Sequence, residues 1–143
     1  DPTLTVETTF AHTGGPALSA VLDEEWNLML LGGGGNPAAH WTAAEVRAAH
    51  DAPGEAAAGT SLNSGNDYLG IALSTITEPQ AAAVWAPIET ISNSEGGFER
   101  VYQGSSLHLV RSIELQPGTT LTVRTEHACG LSRDITGEEG LPS

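Results

Sequence analysis

The sequence predicts an all-β fold, an antiparallel β-sandwich of about eight strands, on three observations. Apolar and polar residues alternate with period two along several segments. Glycine and proline mark turns at short intervals, 17 and 8 of them in 143 residues. Helical periodicity is nearly absent. An incomplete barrel is the alternative architecture.

The strands follow in order. Thr3 to Phe10 places Leu4, Val6, Thr8 and Phe10 on one side and Thr3, Thr5, Glu7 and Thr9 on the other, as in a half-buried strand. His12 to Pro16 is a turn, and Ala17 to Leu22 is expected to return as the hairpin partner of the first strand. Asp23-Glu24-Glu25 interrupts, Trp26 to Leu31 is a third strand, and Gly32 to Pro37 is a long loop. Thr42 and Glu45 have the spacing of a helix-capping box, so a short helix or an irregular excursion is expected over 42–50, stopped at Pro53-Gly54. Gly59 to Asn66 reads as turn. Asp67 to Ser74, Ala81 to Ile91, Phe98 to Tyr102, Ser105 to Leu115 and Thr119 to His127 are the remaining strands. Pro87 argues for an edge or a bend, and Gln116-Pro117-Gly118-Thr119 for a tight turn. Leu107, Leu109, Ile113 and Leu115 share a buried face, with Leu121 and Val123 on the next strand. Length fits one domain over 1–136, with 137–143 as a flexible tail. The chain begins at Asp1 rather than Met, as a fragment or a processed product would.

Charge excludes several functions. The net charge is −13, and all five basic residues are arginine. Nucleic acid needs a basic stripe to displace counterions, and an anionic membrane surface repels such a chain. No apolar run is long enough to span a bilayer. No targeting segment is visible, so no compartment is assigned. Cys129 is single, which excludes an internal disulfide and fits a small core filler. The acidity is chiefly a solubility property.

Motifs for catalysis are missing. There is no Gly-x-Ser-x-Gly elbow, and Gly32 to Gly35 lacks the Lys-Ser/Thr of a phosphate loop. His12, His40, His50, His108 and His127 show no zinc spacing; His108 and His127, on strands expected to be neighbours, approach each other without a third ligand. Asn63, Asn66 and Asp67 lack a full calcium ligand set. No metal and no cofactor are therefore expected.

The densest polar segment is Ile88 to Gly104, IETISNSEGGFERVYQG. Short polar side chains beside aromatics suit a sugar, whose hydroxyls need fixed donors and acceptors and whose ring stacks on Trp or Tyr. The plainer reading is a charged loop with Glu95 or Glu99 paired to Arg100 or Arg111. On strand parity, Trp85 shares a side with Pro87 and Glu89, opposite Val84, Ala86 and Ile88. If the second side is the core, Trp85 faces a polar concavity. Tyr102 shares a side with Arg100, Trp26 reads as core, Tyr68 as solvent-facing, and Trp41 as either a core residue or an exposed platform. The candidate carbohydrate-binding residues are thus Trp41, Trp85, Glu89, Asn93, Glu95, Glu99, Arg100 and Tyr102.

The same segment resembles a signature near the end of the C-terminal β-sandwich domain in α-amylases and 4-α-glucanotransferases of glycoside hydrolase family 57. There the stretch reads much like Glu-Thr-Val-Ser-x-Ser-Glu-Gly-Gly-Phe-Glu-x-x-Tyr-Gln-Gly. Glu89, Thr90, Ser92, Ser94 to Glu99 and Tyr102 to Gly104 carry the match, with Trp85, Pro87 and Ile88 as lead-in. Glu25-Trp26-Asn27-Leu28 and the turn Leu115-x-Pro117-Gly118 are similar too. The match runs over 3–128, strongest over 85–118 and poorest over 38–60. The resemblance implies a galactose-mutarotase-like sandwich behind a catalytic barrel acting on α-glucans. That barrel, with its Glu nucleophile and Asp acid, lies outside this chain, and the family domain is usually longer.

Three functions follow. The first is an accessory, non-catalytic module that weakly binds starch-like α-glucan oligosaccharide or polysaccharide, or packs on the catalytic domain of its parent enzyme. The chain by itself is then not an enzyme. The second is a mutarotase-like or glycosidic enzyme with Glu89 and either Glu95 or Glu99 as a carboxylate pair. The third is a purely structural interdomain module, in which Gly96-Gly97 serves only the turn.

Overall fold

The computed structural model describes residues 2–30 and 35–131, in which every regular element is a strand. Ten strands occur: β1 (Thr3–Ala11), β2 (Leu18–Leu28), β3 (Ala39–Ala43), β4 (Val46–Ala49), β5 (Gly54–Ala56), β6 (Leu62–Asn66), β7 (Ile71–Glu78), β8 (Ala82–Ser94), β9 (Gly97–Leu115) and β10 (Thr120–Leu131). They form a six-stranded sheet, β1-β10-β7-β6-β3-β4, and a four-stranded sheet, β2-β9-β8-β5, with antiparallel pairing throughout. The fold is the all-β sandwich expected from the period-two patterning. The expected tail over 137–143 lies outside the described residues.

The connections correct the sequence reading. β1 and β2 are not a hairpin: β1 pairs with β10 and β2 with β9. The turn residues between them carry the chain from one sheet to the other. Gln116 to Thr119 does the same between β9 and β10. The two arches lie together, His12 N–H donating to Thr119 O at 3.0 Å and Gly118 N–H to His12 O at 2.8 Å. His108 and His127 are therefore in different sheets. His108 Nδ1 lies 2.9 Å from Asp23, whereas His127 Nδ1 meets Thr75 Oγ1 at 2.9 Å between the sheets. Burial pushes the His127 imidazole pKa down, although Glu24 pulls the other way.

Residues 42–50 form no helix. β3 and β4 are a hairpin that turns at Ala44 and Glu45, whose φ values are 47° and 75°. Two successive positive φ angles belong to the turn that matches strand twist, which prefers Asn-Gly. Here two side chains with no such preference occupy it. Replacing them together (Ala44→Asn with Glu45→Gly) is expected to stabilise the chain by about 1–2 kcal/mol. A thermal melt checks this: the midpoint rises by roughly 3–8 °C, and an unchanged or lowered midpoint contradicts the strain. Asp67 in the β6–β7 turn anchors the hairpin, bonding His40 Nε2 at 3.0 Å and Arg47 Nη1 at 2.8 Å. Burial raises the Asp67 pKa, but these partners outweigh it and leave the carboxyl below its ordinary value.

The core lies between the sheets at β3, β6, β8 and β9. Trp41 and Trp85 are 0% and 3% exposed, with ring centroids 5.3 Å apart and planes inclined by 22°. Leu62, Ala83, Leu107 and Leu109 pack around them. Gly54 faces the Trp85 indole so closely that a Cβ there would lie 2.4 Å from ring carbons. Strand β5 can approach because that side chain is missing. Beside this apolar centre is a polar one: Arg111, 5% exposed, donates from Nη2 to Thr77 Oγ1 at 2.6 Å and stands 3.6 Å from Glu24. Thr125 Oγ1 and Trp26 Nε1 donate to the two Glu24 oxygens at 2.8 and 3.0 Å.

Candidate functional site

β8 and β9 outrun the six-stranded sheet. Their far ends, paired from Glu89↔Tyr102 to Ser94↔Gly97, form a two-stranded ribbon turning at Glu95-Gly96. Gly97 closes the turn at φ 117°, a conformation that disfavours any L side chain. This turn is why the Glu-Gly-Gly-Phe run has its form.

A bulge shapes the base of the ribbon. Register shifts between Ile88↔Gly104 and Glu89↔Tyr102, leaving Gln103 as the extra residue of β9. Its amide donates to Thr90 Oγ1 at 3.1 Å. The insertion flips the parity of β9, so Tyr102, Arg100 and Phe98 join the face that Trp85, Pro87 and Glu89 begin. One ribbon face therefore carries Glu89, Ile91 and Asn93 opposite Tyr102, Arg100 and Phe98.

At its base, Asp51, Glu89, Arg100 and Tyr102 line a hollow of about 300 Å³. Arg100 Nε donates to Glu89 Oε2 at 2.5 Å, with the Arg100 side chain 75% exposed and that of Glu89 16%. Tyr102 is buried, its hydroxyl 2.6 Å from Ser105 Oγ. Burial raises the phenol pKa, with the Ser105 bond opposing, so Tyr102 stays a neutral hydroxyl. His50, fully buried, meets the Tyr102 ring edge-on at 4.5 Å. Towards the tip the face turns apolar: Ile91 is 70% and Phe98 82% exposed.

The structure divides the candidate residues. Glu89, Asn93, Arg100 and Tyr102 share the ribbon face. Glu99 pairs with Ser92 on the opposite face, and Glu95 sits in the turn. Trp85 and Trp41 are not platforms. Two-sheet packing makes the Trp85 side of β8 the inner side, leaving Val84 and Ile88 outside at 42% and 38% exposure. Arg100 pairs with Glu89 rather than Glu95 or Glu99, and Arg111 with Glu24. The expected acid–base pairs of Glu89 with Glu95 or Glu99 thus do not face a common hollow; the second carboxylate beside Glu89 is Asp51, which sequence reasoning missed. Ile91 and Phe98 were missed too, although an apolar residue on each arm of a polar hairpin was there to be read. Among the described residues no cluster of three or more His, Cys, Asp or Glu could hold a metal ion.

This arrangement offers the Asp51 carboxylate, the Tyr102 hydroxyl and the internally paired Glu89 and Arg100 at the hollow, and apolar contact towards the tip. A family model described as "Alpha-amylase/4-alpha-glucanotransferase, C-terminal" matches residues 1–125. Alpha-amylase 1 of Dictyoglomus thermophilum is 46% identical over 52 residues, which are 36% of this chain and 8% of that protein. The crystal structure of a 4-alpha-glucanotransferase from Thermococcus litoralis superposes with a TM-score of 0.53 at 19% identity, over 78% of this chain and 14% of that one. The latter likeness is one of fold. The chain spans only a small part of either relative.

Proposed function

The chain belongs to the alpha-amylase/4-alpha-glucanotransferase C-terminal domain family, and on that premise we propose that it is the accessory, non-catalytic β-sandwich of an α-glucan-active enzyme, docked on the rest of that enzyme through the β8–β9 ribbon. The observation that carries this is the apolar tip. Ile91 and Phe98 stand 70% and 82% exposed on one face of a ribbon that, among the described residues, no second sheet covers. An isolated two-stranded ribbon is marginal in water, so packing on a neighbour is what holds it. Trp41 and Trp85, the two tryptophans expected as sugar platforms, lie in the core, and the aromatic left in solvent on this face is Phe98, with the aliphatic Ile91 exposed on the same face.

A second reading has its own support. The hollow of Asp51, Glu89, Arg100 and Tyr102 presents acceptors and donors at fixed places beside the docking tip, which suits the hydroxyls of an α-glucan passing along the junction. Contacts of this kind give weak affinity, about micromolar to millimolar.

Phe98→Ser combined with Ile91→Thr separates docking from folding. In the 143-residue chain the melting midpoint is expected to move by less than about 2 °C, because exposed side chains carry little stability. In the full-length parent enzyme the same pair is expected to speed hydrogen exchange of ribbon amides by about 10-fold or more. Unchanged exchange in the parent enzyme contradicts docking. Titrating maltoheptaose against wild type and Arg100→Ala tests the second reading: shifts at the hollow that Arg100→Ala weakens support it, and no shift removes it.

A further inference from the structure

The outer face of the four-stranded sheet brings together three side chains that the docking and glucan readings do not use. Ser106 and His108 alternate on one side of β9, away from the buried Leu107 and Leu109. Asp23 reaches them from the outer side of β2, which pairs with β9 through Glu25↔His108 and Asn27↔Ser106. His108 Nδ1 lies 3.0 and 2.9 Å from the two Asp23 carboxylate oxygens, and His108 Nε2 lies 2.8 Å from Ser106 Oγ. A carboxylate only accepts, so Nδ1 carries the hydrogen and Nε2 keeps its lone pair for the Ser106 hydroxyl. One tautomer is thereby fixed, in the order hydroxyl, imidazole, carboxylate. The His108 side chain is 32% exposed, so a substrate can reach it. The sequence hides this set because Asp23 and His108 are 85 residues apart.

We propose that Ser106, His108 and Asp23 form a hydrolytic site for neutral carboxylic esters with a short acyl chain. Ser106 Oγ bonds to the acyl carbon of the ester as its proton passes to His108 Nε2. The ester C–O bond then breaks, and that proton leaves with the alcohol. Water attacks the acyl-serine in the same way and gives a proton to Nε2. Ser106 Oγ takes that proton back as the carboxylic acid departs. Asp23 holds the imidazole in place and balances its charge while it is protonated. Asn27 faces Ser106 across the strands, about 5 Å away at Cβ, and its amide can donate to the oxyanion. On the other flank Val84 and Ala86 stand opposite His108 and Ser106, with Ile88 next on β8. This apolar strip suits a short acyl chain. The net charge of −13, with Glu25 opposite His108, selects against anionic esters. The site is separate from the ribbon and from glucan chemistry, in which the accessory role gives this chain no part.

Two measurements on the 143-residue chain test this. A fluorophosphonate reacts with an activated serine, forming an Oγ–P bond with loss of fluoride. Peptide mass mapping is expected to find the label on Ser106 and not on Ser112, an exposed serine on the same face of β9. Hydrolysis of p-nitrophenyl acetate is expected to exceed the buffer rate. That excess is expected to fall about 10-fold or more in Ser106→Ala and in Asp23→Asn, and to stay unchanged in Ser112→Ala. The proposal is overturned by a wild-type chain that leaves Ser106 unlabelled or by equal labelling of Ser106 and Ser112. It is also overturned if Ser106→Ala turns over as fast as wild type, which would leave His108 a lone surface nucleophile.

Discussion

Trp85→Ala is expected to cost about 3–5 kcal/mol of folding stability, the range for deleting a fully buried indole. The ring is 3% exposed, stacks on Trp41 across the sheets, and lies against the backbone of Gly54. Nothing can collapse into its space cheaply, because the wall is β5 backbone on one side and a second indole on the other. A domain of this size has about 5–15 kcal/mol in total, so the variant is left near its unfolding threshold. Urea titration of wild type, Trp85→Ala and Trp85→Phe measures this. The phenylalanine variant is expected to fall between the other two. A loss below about 1 kcal/mol for alanine would mean that the two indoles do not form the centre of the core.

Arg111→Met is expected to cost about 2–4 kcal/mol, less than a fully buried pair because Glu24 retains some solvent. The guanidinium is 5% exposed, and its removal leaves the Glu24 carboxylate with only the neutral Thr125 and Trp26 donors. The partner change decides the mechanism. Glu24→Gln added to Arg111→Met is expected to recover at least half of the loss, because the side chain is then neutral, its oxygen still accepts from Trp26 Nε1–H, and its NH2 can donate to the Thr125 hydroxyl. A double-mutant cycle by urea unfolding reads the coupling. Strictly additive losses would show that Arg111 acts through Thr77 and packing alone.

The fold class was legible because period-two alternation is a property of single strands. The pairing of strands was not. His12-Thr13-Gly14-Gly15-Pro16 has the chemistry of a hairpin turn, and an arch between sheets uses the same residues. Residues 42–50 failed for a different reason: a capping-box spacing occurs by chance, and the turn there runs through Ala44 and Glu45, which advertise no positive φ. In β8 both faces hold apolar side chains, Val84 and Ile88 on one and Trp85 and Pro87 on the other, so parity alone could not say which was inside. The bulge at Gln103 then put Tyr102 and Arg100 on the Trp85 side. The long signature over 89–104 was legible as a resemblance, because its paired glycines and spaced carboxylates serve one turn and one ribbon.

The outermost pairings join distant parts of the polypeptide: Thr3 meets Ala128, and Leu18 meets Leu115. Closing such long loops is entropically costly and slows the approach to the native state. On the ribosome, β1 and β2 cannot make these pairings until β10 and β9 have emerged. During that interval they are the segments most in need of a holding chaperone.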